Sequence, residues 1–118
     1  MRNKTAHLDS GNQAEQQALL FLQDKGLKLV EKNYRCRSGE LDLIMQDKSS
    51  LVIVEVRFRQ SEKFGGALES VTAKKQSRII SATEHYIMTK QINTGIRFDV
   101  IAISGNHQIQ WIQNAFQP

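Results

Sequence analysis

The sequence predicts an α/β protein: a central mixed sheet of about five strands flanked by helices, in the order helix, three strands, helix, two strands. Apolar residues recur at helical spacing in 10–26 and again in 70–89, whereas β-branched and alternating runs stand at 40–59, 97–103 and 108–112. The second helical stretch falls between the third and fourth strands, and a connection of that length predicts a right-handed parallel crossover rather than a hairpin.

Residues 1–9 are polar and read as a flexible tail, leaving 10–118 as a single domain. From a cap at Ser10 or Asn12, Ala14, Ala18, Phe21 and Leu22 keep one helical face until Gly26 ends it, with Glu15 on the same helix. Leu27, Leu29 and Val30 predict a short strand, and NYRCRS reads as a basic loop. ELDLIMQ and LVIVEVRFR then form the arms of a hairpin around DKSS. QSEKFGGA is a loop whose adjacent glycines permit close backbone approach. The second helix fits from Ser70 or Thr72 to Thr89, with Ile79, Ile80, Tyr86 and Ile87 on its apolar face, and Glu69 reads as its cap. After NTG, RFDVIAI is a strand, SGNH a turn and QIQWI a last strand.

Composition excludes several function classes. The single cysteine, Cys36, rules out an internal disulfide and any multi-cysteine zinc site, and its neighbours mark no nucleophile. His7, His85 and His107 have no metal-ligand spacing and read as structural or solvated. The start of the chain resembles no signal peptide and no run reaches membrane-spanning length, so a cytoplasmic location is expected. A formal charge of +4 favours an anionic partner.

The hairpin register carries the chemistry. With a loop of two or four residues centred on Lys48 and Ser49, Asp42 faces Glu55, Glu40 faces Arg57 and Ile44 faces Ile53. Leu41, Leu43 and Met45 then share the opposite, apolar face with Val52, Val54, Val56 and Phe58. Directly opposed acids destabilise a sheet, so Asp42 and Glu55 require a cation, a shared proton or full hydration. A divalent metal is the sharpest of these, because two carboxylates plus water and phosphate oxygens suit Mg²⁺. Arg57 emerges on the same face, where it can stabilise charge developing on phosphate. The bland alternative is an ordinary ion-pair network with Arg57, Arg59 and nearby lysines. Asp99 reads as a partner of Arg97 or another base.

GELDLI, VEVRFR, FGGALESVTAKKQSRI, RFDVIAI and WIQNAF resemble the YraN family of small bacterial proteins, over about residues 11–116. That family is similar in turn to the restriction-endonuclease-like superfamily, whose signature is an Asp on one strand and an acid-x-Lys on the next, and to Holliday-junction resolvases. The resemblance implies a restriction-endonuclease-like fold, Asp42 and Glu55 as ligands of Mg²⁺ or Mn²⁺, Glu15 as an assisting helix acid, and a homodimer. Arg57 stands where the superfamily usually has Lys. A guanidinium stays protonated and cannot act as a base, so Lys74 or Lys75 becomes a candidate for a displaced lysine function, against their reading as a solvated basic turn.

Arg57, Arg59, Lys63, Lys74, Lys75 and Arg78 form a basic cluster suited to a phosphate backbone, with the FGG loop at the mouth of the site. Two functions follow. One is a metal-dependent endonuclease on structured or branched DNA, with Asp42, Glu55 and Arg57 catalytic; the alternative is a non-catalytic nucleic-acid-binding module that retains the nuclease fold.

Overall fold

Five strands lie side by side in sequence order: β1 (Lys28–Cys36), β2 (Gly39–Asp47), β3 (Ser50–Arg59), β4 (Ile96–Ser104) and β5 (Ile109–Ile112). Helix α1 (Ser10–Asp24) precedes β1, and α2 (Ala73–Lys90) joins β3 to β4. The computed structural model describes residues 10–59, 66 and 68–118. The expected tail at 1–9, Lys63 and most of the FGG loop lie outside the described residues. The expected α/β order and mixed sheet are observed: β3 and β4 are parallel along their length, and the other neighbouring pairs are antiparallel.

The helices end as their sequences direct. After α1 the chain turns through Gly26 at φ 96°, and Leu27 N–H reaches back to Leu22 C=O at 3.1 Å. This left-handed turn satisfies carbonyls at the helix end, and glycine adopts it without a Cβ penalty. Thr72 caps α2, its hydroxyl accepting the Lys75 N–H at 3.2 Å. Glu69 is therefore not the cap. It lies in the short 3₁₀ turn Leu68–Ser70, where its carboxylate accepts the Gly66 N–H at 3.0 Å.

The two helices cover opposite faces of the sheet. Ala14, Ala18, Leu19 and Leu22 of α1 pack on Leu43, Met45, Val52, Val54, Ile101 and Ile103. Ile79, Ala82 and Tyr86 of α2 pack on Ile44, Ile53, Phe98 and Val100, and Phe116 closes that layer by stacking on Phe98 at 5.1 Å. Strand alternation directs these sets to opposite sides, as expected. Leu41 departs from the expectation and joins the α2 layer. It lies beyond Leu43, the last residue of β2 in the ladder with β3, where that ladder no longer dictates the pleat.

β1 is longer than the sequence reading, because NYRC is strand rather than loop. A bulge between Leu29 and Glu31 breaks the alternation, and as an edge strand β1 exposes Lys28, Lys32 and Arg35. Cys36 pairs with Gly39 across a turn at Arg37 and Ser38, which fixes Arg35 opposite Glu40.

Candidate functional site

The β2–β3 register is the expected one. Asp47 pairs with Ser50 around the turn at Lys48 and Ser49, and the pairing runs to Leu43 opposite Val54. There the ladder stops, one position short of Asp42 and Glu55. Asp42 Oδ2 instead accepts the Val56 N–H at 2.9 Å, so a side-chain oxygen occupies the place of a strand carbonyl. This bond anchors the Asp42 carboxylate beside Glu55 where the two strands part.

Glu55 sits in β3 opposite Val100 of β4 and is 4% exposed. Its Oε2 lies 3.5 Å from Arg57 Nη1 and 3.6 Å from Lys75 Nζ. Both are ion pairs longer than the roughly 2.7–2.9 Å of a charge-assisted hydrogen bond. Burial first and then the adjacent Asp42 charge push the Glu55 carboxyl up to about 8, with Lys75 and Arg57 offsetting only part of the rise. Asp42 is also raised by burial, although the Val56 N–H, a bond from Glu55 and the charge of Lys75 act against that shift. Both carboxyls are thus held above their ordinary range, so the pair retains a proton more readily than two free carboxylates would.

Lys75 reaches the pair because the Thr72 cap fixes the first turn of α2 over this face of the sheet. Lys74 is exposed and, among the described residues, takes no part in the ion pairs of Glu55. Of the two lysines, it is therefore Lys75 that lies beside Glu55. Arg57 is half-buried beside Glu55, whereas Arg59 donates to Gly66 C=O at 2.6 Å.

Two expected placements are corrected. Glu40 does not face Arg57, since the β2–β3 ladder ends before that position; its partner is Arg35, at 3.4 Å. Glu15 is not brought to the carboxylate pair. It accepts from Asn33 Nδ2 at 3.2 Å beside a cavity lined by Lys32, Asn33 and Leu43. Among the described residues no three His, Cys, Asp or Glu side chains converge as a metal-binding group.

A feature the sequence reading missed adjoins Lys75. A cavity of about 340 Å³ lies between the β1–β2 turn and α2, lined by Arg35, Gly39, Glu40, Lys75 and Arg78 among others. Reading NYRC as strand would have exposed it, because that pairing puts Arg35 beside Glu40 and Gly39 at the turn. Asp99, by contrast, has the partner expected of it: Arg97 donates to both of its oxygens at 2.9 Å.

Among the described residues no helix is long and apolar enough to cross a membrane. The model of a family described as "Uncharacterised protein family UPF0102" matches residues 14–103, a span holding Asp42, Glu55, Arg57 and Lys75. The chain is 54% identical over 108 residues to a UPF0102 protein of Nitrosomonas eutropha, covering 92% of this chain and 93% of the relative. It is 47% identical to one of Nitrosococcus oceani, covering 94% of each, and 49% identical to one of Shewanella loihica, covering 93% and 96%.

Proposed function

Since this chain belongs to the uncharacterised protein family UPF0102, whose description assigns no activity, we propose a function from the site itself: metal-dependent hydrolysis of phosphodiester bonds in structured or branched DNA, in the cytoplasm. The observation that supports this reading is the Asp42–Glu55 pair. Burial leaves both carboxylates raised, the Asp42 charge adds to the rise at Glu55, and Arg57 and Lys75, at 3.5 and 3.6 Å, do not bring Glu55 back to the ordinary range. A divalent cation would stabilise both carboxylates in their charged form. Mg²⁺ or Mn²⁺ fits a donor set of two carboxylates, with water and phosphate oxygens completing the shell.

When bound, such a cation polarises a phosphoryl oxygen and lowers the pKa of an attacking water. The chain's own residues do the rest. Asp42 and Glu55 would hold the cation, giving up any proton retained between them. Arg57 remains protonated and grips a non-bridging phosphate oxygen. Lys75 places an ammonium at Glu55, giving the site the rotatable donor that a guanidinium at position 57 cannot supply. Lys74, Arg59 and Arg78 extend a basic surface for the backbone, with weak sequence preference.

The test is Mn²⁺-induced broadening of amide NMR signals, followed by cleavage of branched and single-stranded DNA, in the wild type and Asp42→Asn. Broadening centred on residues 42 and 55 and lost in the variant is expected. Cleavage should vanish in Asp42→Asn while DNA binding is preserved or tightened. Cleavage that survives the substitution would remove Asp42 from the mechanism.

The second reading, a non-catalytic binding module, is favoured by one observation: two cations already lie within 4 Å of Glu55, as in an ordinary ion-pair network. On that reading Mn²⁺ leaves residues 42 and 55 unaffected even with DNA present, and Lys75→Ala weakens DNA binding and its salt dependence.

A further inference from the structure

The cavity between the β1–β2 turn and α2 gathers like charge. Arg35, Lys75 and Arg78 line it against one acid, Glu40. Among the described residues Arg78 has no hydrogen-bond or ion-pair partner, and it lies one helical turn beyond Lys75. The pairing of Arg35 with Glu40 is loose, at 3.4 Å with the arginine side chain 77% exposed, so an incoming anion competes with it easily. Cations collected in a concavity without matching acids repel one another unless an anion occupies it.

The walls are fixed rather than loop-borne. One is the turn of the β1–β2 hairpin and the other is α2, and they meet where Gly39 lies against Arg78. A Cβ on Gly39 would stand 3.4 Å from both the Cβ and the carbonyl oxygen of Arg78. Lys75 belongs to two places at once, lining this cavity and reaching Glu55 at 3.6 Å. Lys75 thus links the cavity to the carboxylate pair, although neither acid lines it.

We propose that this cavity binds the phosphate of the nucleotide next to the one held at Glu55. A single polynucleotide strand then runs from Arg57 across Lys75 to Arg78 and Arg35. The guanidinium of Arg35 leaves Glu40 for the phosphate, which offers it bidentate geometry and a larger charge. A concave site of this kind selects an unpaired strand, such as the flexible arm of a branch, over the interior of a regular duplex. The proposal rests on the phosphodiester reading of the Asp42–Glu55 site, and its test separates the two.

The experiment is fluorescence anisotropy of a short labelled single-stranded oligonucleotide, with chelator present, over a range of salt concentrations. Arg78→Gln and Arg35→Gln should each weaken binding about five-fold and reduce the salt slope by about 0.7, the value for one lost contact to a single strand. Arg37→Gln, in the turn but outside the cavity lining, should change binding less than about two-fold, since it loses only the general field. Glu40→Gln should tighten binding, and more than Asp24→Asn, which removes the same charge at the far end of α1. Equal effects of all three arginine changes would reduce the cavity to general electrostatics and overturn the proposal. Inorganic phosphate or a mononucleotide binding as tightly as the oligonucleotide would overturn the strand path, leaving a free small anion as the occupant. No cleavage is read, so failure here leaves the Asp42–Glu55 site to the Mn²⁺ experiment, and failure there removes the reacting phosphate from the path while leaving the cavity's measured contacts to a strand.

Discussion

Two buried acids lie on neighbouring strands of this sheet, one register position apart and on opposite faces, and they are treated in opposite ways. Asp99 in β4 has no exposed surface and takes four donors: Nε and Nη2 of Arg97, Nε1 of Trp111 and the Asn114 N–H, at 2.9, 2.9, 2.9 and 3.0 Å. Arg97 also donates to Asp47 at 3.1 Å, so the network ties β4 to β5, to the segment after it and to the end of β2. Glu55 in β3 is nearly as buried but has two cations at 3.5 and 3.6 Å and a repelling Asp42 beside it. Burial alone therefore does not mark a functional acid. What separates the two is whether the fold supplies the donors that stabilise the charge.

The largest expected effect comes from breaking the satisfied site. Asp99→Ala leaves the Arg97 charge without its main partner and removes the acceptor from the Trp111 and Asn114 N–H groups. A loss of about 3–5 kcal/mol in denaturant unfolding is expected. A loss below about 1 kcal/mol would mean that these bonds merely replace water and that Asp99 is no anchor.

At Glu55 the sign reverses. Its folded-state value near 8 lies above the ordinary 4.5, so between those pH values the unfolded chain releases a proton that the folded chain retains. Stability thus falls as pH rises from about 4.5 to 8, and stays low above it. Glu55→Gln removes this liability and should stabilise the protein by on the order of 2 kcal/mol at pH 8, and by little at pH 4.5. Matched unfolding curves at the two pH values check it; a destabilised variant at pH 8 would place Glu55 with Asp99 as a structural acid.

A smaller effect of the same origin is expected from metal. If a divalent cation binds the pair, it displaces the proton the pair retains, so Mn²⁺ affinity should rise with pH up to about 8, by at most about tenfold per unit for one proton released. Titration calorimetry in two buffers of different ionisation enthalpy measures that proton directly. Binding that is independent of pH would separate the cation from Glu55.

Much of this contrast was legible in the sequence. The register that sets Asp42 beside Glu55 follows from the position of the turn and strict two-residue alternation, and both hold in the structure as far as Leu43 and Val54. The pairing of Asp99 with Arg97 follows from their shared face on one strand. Other features were not legible, for identifiable reasons. β1 is an edge strand, and in NYRC only half-buried Tyr34 and Cys36 alternate with exposed Asn33 and Arg35, a pattern too short and polar to read as strand, so the Arg35–Glu40 cavity was hidden with it. Lys75 differs from Lys74 only through the rotation that the Thr72 cap gives α2, a tertiary fact that their adjacent identical letters conceal. Glu15 shares a helix with residues packed on Leu43, yet the bond to Asn33 places its carboxylate at a different cavity.

The smallest stability effect sharpens the comparison most. Arg97 and Lys75 are each a cation beside a buried acid, but Arg97 forms short paired bonds to both oxygens of Asp99, whereas Lys75 meets one oxygen of Glu55 at 3.6 Å and is 37% exposed. Lys75→Met keeps the aliphatic stem over the sheet and removes only the charge. At pH 7, where Glu55 still holds its proton, the substitution should change stability by less than about 1 kcal/mol. Losing a cation that lowers Glu55 should also move its ionisation to higher pH, read from the side-chain carboxyl carbon shift of Glu55. A stability loss of several kcal/mol would make Glu55–Lys75 a structural pair equivalent to Asp99–Arg97. The distinction between an acid held for the fold and an acid held for chemistry would then have no support from these two sites.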